Sequence, residues 1–205
     1  MQVDAGALLD WPATLRARLL EAGPGAGLQP AHLRWRQALA TPQTLHVFAL
    51  DCSASMLASG ALARAKGLVL QWLRWAYLQR MPVALLCFGA GQVQWRLAPG
   101  RAPRWNAALI EPLAGGGGTP LAQAVHQAWE LLARRAQQQG QPACLWLLSD
   151  FRSPDVLALE QQRGPQGLSQ VLVDCEQVSA KPPFAGAQRL VRAWPDAVRL
   201  ALPDW

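Results

Sequence analysis

Short apolar runs without Asp, Glu, Lys or Arg, separated by amphipathic segments, are the feature that most constrains how this chain can fold. Three of these runs cover residues 44–50, 83–88 and 143–149. Their length suits strands rather than helices, and strands without a polar side are typical of a parallel sheet covered on both faces. Between the first two runs, Leu62, Ala65 and Val69 recur at helical spacing. We therefore predict an α/β fold: a doubly wound, Rossmann-like, mainly parallel sheet with helices on both faces and one antiparallel strand.

The antiparallel strand is predicted from the turn GAG at 89–91, which joins the second run to a strand at 92–97. This turn is too short for a crossover helix, so the two strands it joins must run in opposite directions. Downstream, apolar and amphipathic segments continue to alternate. We predict further helices ending near 113 and at 120–139, 155–163 and 185–194, and further strands at 169–174 and 197–202.

Residues 1–43 do not share this alternation, and we predict that they form an N-terminal extension to a domain covering 44–205. The segment WPATLRARLLEA, at 11–22, can form a short amphipathic helix with Pro12 in its first turn. The following AGPGAG ends that helix because glycine and proline break it.

Charge and cysteine content narrow the classes of partner and compartment. The net charge is +6, and the arginines are spread along the chain without forming a basic helix, so we expect an acidic protein partner and no nucleic acid. No apolar stretch approaches the roughly 18 residues of a membrane span, and the N-terminus does not resemble a signal peptide. The four cysteines form no CxxC pair, which favours reduced, buried thiols. We therefore expect a cytoplasmic protein with no membrane partner.

Oxygen-bearing side chains gather after two predicted strands and before one predicted helix. DCSAS places Asp51, Ser53 and Ser55 at the end of the first strand, and LLSDF places Asp150 at the end of a later one. Four glycines precede Thr119 and let the backbone pass close to the same region. Ligands of such sheets bind beyond the carboxyl ends of the strands, so we expect these five side chains to converge.

Two carboxylates and three hydroxyls form a hard-oxygen set of the kind that Mg²⁺ prefers. No histidine is placed to activate a serine, and no GxxxxGK motif is present, so we predict neither nucleophilic catalysis nor an ATP site in this chain. Metal-assisted hydrolysis would need a further general base, and Asp155 and Glu111 are the only other carboxylates near the predicted rim. We expect no enzymatic activity from the chain alone.

The segments DCSAS, GGGGTPL and LLSDF resemble the three loops of a von Willebrand factor A domain with a metal-ion-dependent adhesion site. The resemblance covers residues 44–202. It implies that Ser53, Ser55 and Thr119 contact Mg²⁺ directly or through one water, and that the two aspartates hold waters and orient the hydroxyls. A cation with mostly neutral ligands stays under-neutralised and attracts a carboxylate from a partner. The resemblance therefore implies a docking site rather than a catalytic one.

The flanking sequences are similar to the C-terminal part of the magnesium chelatase D subunit. This similarity is carried by WPATLRARL, by GGGGTPLAQAV, and by the tail VLVDCEQ with FAGAQRLVRAWPDAVRLAL. It implies a coupling subunit that works with an I-type AAA+ ATPase and a large H-type or cobalt-type subunit, in a complex that inserts Mg²⁺ or Co²⁺ into a tetrapyrrole. D subunits usually have an AAA-like domain and an acidic, proline-rich linker, so this chain would be a shortened, stand-alone version.

One departure from the sequence pattern of the D subunits keeps a second interpretation of the partner open. Phe151 and Arg152 follow the second aspartate, where the D subunits more often have glycine. LLSDF is also similar to the A-domain proteins that accompany MoxR-type AAA+ ATPases, and these imply a role in the maturation of protein complexes. Both interpretations share a metal-dependent docking site and differ in the partner.

Overall fold

The computed structural model of the protein describes residues 7–23, 27–37, 43–104, 118–177 and 183–202. The chain divides into two compact units, Met1–Thr41 and Pro42–Trp205. Among the described residues, no helix combines the length and the apolar character needed to cross a membrane.

In its described residues, the first unit contains an α-helix, a 3₁₀ helix and a small antiparallel sheet. Its elements are β1 (Ala7–Leu9), α1 (Trp11–Ala22), a 3₁₀ helix (Pro30–His32) and β2 (Trp35–Gln37). The predicted helix at 11–22 is confirmed, and it begins after Asp10, whose carboxylate accepts a hydrogen bond from the backbone N–H of Ala13 at 3.0 Å. The two three-residue strands were not predicted, because they are too short to show a periodic pattern.

The second unit alternates strands and helices as predicted. Its elements are β3 (Leu45–Asp51), α2 (Ala54–Ala58), α3 (Ala61–Leu78), β4 (Pro82–Gly89), β5 (Gln92–Arg101), α4 (Leu121–Gln139), β6 (Ala143–Ser149), α5 (Asp155–Leu159), β7 (Ser169–Asp174), α6 (Gly186–Ala193) and β8 (Ala197–Ala201). The helix predicted to end near 113 lies outside the described residues. The helix predicted over 155–163 ends at Leu159, after which the N–H groups of Gln161 and Gln162 bond to the carbonyls three residues back, as in a tighter 3₁₀ turn.

Strand order confirms the predicted fold class. The six strands follow the order β5-β4-β3-β6-β7-β8, and β5 alone is antiparallel to its neighbour. The central pair is β3 and β6, with Leu50 opposite Leu148. The carboxyl ends of these two strands therefore meet at the middle of one sheet edge, which is where the two predicted site loops begin.

Each face of the sheet carries its own apolar cluster. Helices α4, α5 and α6 contribute to one cluster, and α2 and α3 contribute to the other. On the first face, the indole N–H of Trp129 donates to the Gln170 amide oxygen at 2.9 Å, which pairs these two polar groups inside the core. All four cysteines are buried, as expected for reduced thiols.

Candidate metal centre

The carboxylate of Asp51 is held at the end of β3 by hydrogen bonds to both of its oxygens. Oδ1 accepts from the backbone N–H of Ser53 at 2.8 Å, and Oδ2 accepts from the hydroxyl of Ser149 at 2.5 Å. The side chain is fully buried. The last residue of β3 is thereby tied to the last residue of β6, so the two strand ends are fixed relative to each other.

Burial raises the pKa of Asp51 to about 6. The hydrogen bonds from Ser149 and Ser53 oppose this rise, and the negative charge of Asp150 adds to it. Two neighbouring buried carboxylates therefore share this sheet edge, and a cation between them would offset the cost of their negative charge.

Two hydroxyls lie next to this carboxylate at the start of α2. Ser53 is buried and precedes the helix, and Ser55 is exposed in its first turn. Their Oγ atoms share a hydrogen bond and are 3.1 Å apart. Two neighbouring ligands of an octahedral Mg²⁺, each about 2.1 Å from the ion, are separated by about 3 Å. The two serines are thus already spaced as adjacent ligands of one cation.

The second acidic loop follows β6. Asp150 is buried, and its Oδ1 accepts from the backbone N–H of Arg152 at 3.1 Å. Between them, Phe151 adopts a left-handed backbone with φ of 52° and buries its ring completely. This conformation is costly for any residue with a Cβ, so the buried ring must hold the turn in place.

The segment that contains Thr119 is attached to this second loop. The carbonyl of Thr119 accepts from the hydroxyl of Ser153 at 3.2 Å, and the backbone N–H of Ala122 donates to Asp155 Oδ2 at 2.9 Å. The carboxylate of Asp155 therefore caps the start of α4 from a neighbouring helix, which is a structural role rather than that of a general base. Glu111, the other candidate base, lies outside the described residues.

The structure thus places Asp51, Ser53 and Ser55 in one cluster at the sheet edge and Asp150 beside it, with the Thr119 segment joined to the Asp150 loop. Supporting residues were missed from sequence: Ser149, Ser153 and Gly89. Ser149 could have been found, because it immediately precedes Asp150 and ends a buried strand. The other two act through contacts between distant segments and give no local signal.

Gly89 illustrates such a contact. A Cβ at this position would lie 2.8 Å from the backbone carbon of Cys52 and 2.9 Å from its carbonyl oxygen. In addition, the N–H of Cys52 donates to the carbonyl of Phe88 at 2.7 Å. The end of β4 therefore packs directly on the loop that carries the two serines, and only glycine leaves room for this approach.

The donor chemistry of the cluster fits a hard divalent cation. Within the described parts of the chain, no group of three or more His, Cys, Asp or Glu residues is arranged to hold a metal ion. The hydroxyl and carboxylate oxygens at the sheet edge instead match the preference of Mg²⁺, which takes oxygen ligands and keeps several waters.

Comparison with known sequences agrees with this fold. Residues 46–152 match the family described as von Willebrand factor type A domain. The magnesium-chelatase 60 kDa subunit of Cereibacter sphaeroides is 29% identical over 225 aligned positions, which cover 98% of this chain and 39% of that protein. The magnesium-chelatase 67 kDa subunit of Chlorobaculum parvum is 38% identical over 97 residues, 47% of this chain and 15% of that protein. The chain therefore spans well under half the length of either relative.

Solved structures show the same architecture. The SpRpn10 VWA domain superposes with a TM-score of 0.54 at 11% identity, over 80% of this chain and 90% of that domain. The manganese-loaded TRAP protein of Plasmodium vivax superposes with a TM-score of 0.52 at 10% identity, over 78% of this chain and 69% of that one. At such low identity the likeness concerns the fold alone. Together with the sequence matches, it confirms the predicted resemblance to a von Willebrand factor A domain.

Proposed function

This chain belongs to the von Willebrand factor type A domain family, and from that premise we propose that it is a Mg²⁺-dependent docking subunit whose site takes a carboxylate from a partner protein. The observation that carries the proposal is the 3.1 Å separation of the Ser53 and Ser55 hydroxyl oxygens next to buried Asp51. That separation suits two adjacent ligands of one Mg²⁺.

In this proposal the residues of the site have separate tasks. Ser53, Ser55 and Thr119 offer neutral hydroxyl oxygens to the cation, and Asp51 and Asp150 orient those hydroxyls and the waters. When bound, Mg²⁺ supplies a positive charge that neutral ligands leave largely unbalanced. The chain itself keeps the site rigid, because Ser149 fixes the Asp51 carboxylate through its 2.5 Å hydrogen bond.

The similarity to two magnesium-chelatase subunits supports a role in a chelatase complex. We propose that the chain couples an I-type AAA+ ATPase to a large H-type or cobalt-type subunit in the cytoplasm, during insertion of Mg²⁺ or Co²⁺ into a tetrapyrrole. The net charge of +6 would favour an acidic partner surface and speed its approach.

The test is a pull-down of purified large chelatase subunit and AAA+ subunit by the tagged chain in an excess of free Mg²⁺. We expect recovery of both subunits, and loss of recovery in EDTA or with Ser55→Ala. Ser55 is exposed, so this variant removes one hydroxyl without disturbing the core. Asp196→Ala, an exposed aspartate away from the site, is the matched control.

Two outcomes would contradict the proposal at different levels. Equal recovery with and without EDTA would rule out metal-dependent docking. When a purified MoxR-type ATPase is offered in the same assay, its metal-dependent recovery with no chelatase subunit bound would keep the docking mechanism and reject the chelatase assignment.

A further inference from the structure

A cleft of about 390 Å³ lies at the amino ends of β7 and β8. Its lining comes from the segment 163–166 before β7, from the segment 194–196 before β8, and from Gln170, the second residue of β7. We call this cavity the Gln170 cleft. Gln170 precedes Asp174, the last residue of β7, by four residues, which is roughly 13 Å along a strand. The cleft is therefore at the opposite edge of the sheet from the candidate metal centre.

The side chain amide of Gln170 is buried but only half paired. The residue is 3% exposed. Its Oε1 accepts from the indole N–H of Trp129 at 2.9 Å, whereas its Nε2 donates to no acceptor in the described parts of the chain. The bond from Trp129 also identifies the two ends of the amide, because an indole N–H can only donate. Buried polar groups nearly always have a partner, so Nε2 needs an acceptor from outside the protein.

The amide nitrogen of Gln170 faces the cleft beside Gly164. A Cβ at position 164 would lie 3.0 Å from Gln170 Nε2 and 3.0 Å from Trp129 Cε2. Gly164 and Gln170 both line the cleft. Because glycine has no side chain, the nitrogen stays uncovered on this side. A larger residue would crowd the nitrogen and close the approach to it.

The other buried side chain of the lining has its polar group satisfied. Trp194 is 1% exposed, and its indole N–H donates to the carbonyl of Leu159 at 3.1 Å. Pro165 and Pro195 also line the cleft; their rings are apolar and they have no backbone N–H. The walls therefore offer apolar contacts, and the buried donor that remains open is Gln170 Nε2.

The charged residues of the cleft do not favour a charged ligand. Arg163 and Asp196 both line it, and both are exposed. Their charges have opposite signs and offset each other, and exposed charges contribute little to binding because water screens them. The buried amide should therefore decide which ligand is accepted.

The size of the cleft suits a small ligand rather than one bridging water. Its volume of about 390 Å³ is more than ten times the share of one water in the liquid, about 30 Å³. It falls within the range of small-molecule sites, roughly 300 to 1,000 Å³, which have apolar walls and a few polar groups that fix the orientation.

The open donor selects the chemistry of the ligand. A side chain NH₂ group needs an acceptor oxygen, and an uncharged carbonyl provides one without bringing a charge into a buried position. The carbonyl of an amide is a strong neutral acceptor. A ligand with such a carbonyl and an apolar group next to it matches both the donor and the walls.

We propose that the Gln170 cleft binds an uncharged amide, whose carbonyl oxygen accepts from Gln170 Nε2 and whose apolar group packs on Pro165 and Trp194. Small-molecule amides and segments of a partner protein share this chemistry, and the experiment distinguishes the two sources. The site is separate from the metal centre, so its binding does not require Mg²⁺.

The probe is N-acetyl-L-leucinamide, which carries amide carbonyls and an apolar side chain but no charge. Its comparison compounds are N-acetyl-L-leucine, which is an anion, and L-leucine, which is a zwitterion. We expect saturable binding of the probe to the full chain, measured by ligand-observed NMR, with an affinity about tenfold or more above that of either comparison compound. EDTA should leave this affinity unchanged.

Two variants test the role of the amide nitrogen. Gln170→Glu keeps an oxygen for Trp129 and replaces the NH₂ donor by an acceptor, so affinity for the probe should fall about tenfold or more. Gln161→Glu, at an exposed glutamine outside the cleft, is the matched control and should bind normally. Gly164→Ala should also weaken binding, because its methyl group crowds the nitrogen, whereas Gly67→Ala should not. Urea unfolding verifies that each variant is folded.

Several results would overturn the proposal. Wild-type affinity in both Gln170→Glu and Gly164→Ala would exclude the amide nitrogen as the donor. Tighter binding of L-leucine or N-acetyl-L-leucine than of the probe would show that the exposed charges select the ligand. No saturable binding of the probe at about 10 mM would exclude the site itself.

A longer ligand identifies the source of the amide. The probe for this step is an acetylated and amidated pentapeptide with leucine at its centre and glycine or alanine elsewhere. Tighter binding of the pentapeptide than of N-acetyl-L-leucinamide would support the proposal with a partner segment as the ligand. Weaker binding of the pentapeptide would support it with a small molecule as the ligand.

Discussion

At the scale of single residues, the candidate site depends on one buried carboxylate and the groups that hold it. Burial raises the pKa of Asp51, and hydrogen bonds from Ser53 and Ser149 keep its carboxylate in position. A buried carboxylate in this state needs either its hydrogen-bond donors or a nearby cation to remain charged. The residues that donate to Asp51 should therefore matter for both folding and metal binding.

Ser149→Ala removes a hydroxyl that serves two groups. It donates to Asp51 and accepts from the backbone N–H of Phe151 at 2.9 Å. Because both partners are buried, we expect the free energy of unfolding to fall by about 1–3 kcal/mol and Mg²⁺ affinity to fall with it. Urea unfolding and Mg²⁺ calorimetry measure the two effects. Ser169→Ala, at an exposed position of β7, should change neither; unchanged Mg²⁺ affinity in Ser149→Ala would contradict this role.

Gly89→Ala tests the packing of β4 on the serine loop. The added methyl group would lie 2.8 Å from backbone atoms of Cys52 that cannot move independently. We expect lower stability and weaker Mg²⁺ binding, since the loop carrying Ser53 must shift. Gly67→Ala, in the interior of α3 with no atom near the new methyl, should instead raise stability by about 0.5–1 kcal/mol. Equal effects of the two substitutions on Mg²⁺ binding would refute the proposed contact.

At the scale of secondary-structure elements, the site is assembled by contacts between helix and strand ends. The end of β3 is joined to that of β6, and the start of α4 is joined to α5. The second connection uses Asp155, which accepts from Ala122 N–H at 2.9 Å across elements. The relative position of the three loops depends on these few polar contacts.

Asp155→Ala removes the cap that α5 provides to α4. Substitution of a capping side chain costs about 0.5–2 kcal/mol, so the midpoint of urea unfolding should decrease. Because the same contact holds the segment of Thr119 near the Asp150 loop, Mg²⁺ affinity should also decrease in calorimetry. Asp196→Ala serves as the control. A loss of stability with unaltered Mg²⁺ affinity would separate the cap from the site and contradict the second expectation.

At the scale of the whole molecule, the central strand carries the site and the cores on both faces keep that strand in place. Asp51 ends β3, which lies between β4 and β6 in the sheet. A cation that binds only the folded state must therefore stabilise the entire second unit and not only a loop.

Mg²⁺ should accordingly raise the temperature of unfolding. At a free concentration about 100 times the dissociation constant, binding adds about 2.7 kcal/mol to the free energy of unfolding. Scanning calorimetry with Mg²⁺ and with EDTA measures this difference, and Ser55→Ala should reduce it. The same shift in Ser55→Ala as in the wild type would show that Mg²⁺ acts elsewhere on the protein.

Local patterns in the sequence were sufficient for the sheet and for the identity of the loops. Uninterrupted apolar runs identified the strands, and the carboxylates that end two of them marked the edge where ligands bind. These inferences hold because a strand buried on both faces has apolar side chains on both sides. The carboxyl ends of parallel strands also lie at the same edge of the sheet. The same patterns could not find β1, β2 or α2, which are too short for a period.

Only the tertiary structure revealed how the site is supported and what the sheet leaves open. The hydrogen bond from Ser149 to Asp51 and the approach of Gly89 to Cys52 join residues that are distant in sequence, so no local rule contains them. The exposure of Val198 and Leu200 is likewise invisible in the sequence, where both look like ordinary core residues. Periodicity shows which side of a strand is apolar, whereas packing alone decides whether another element covers it.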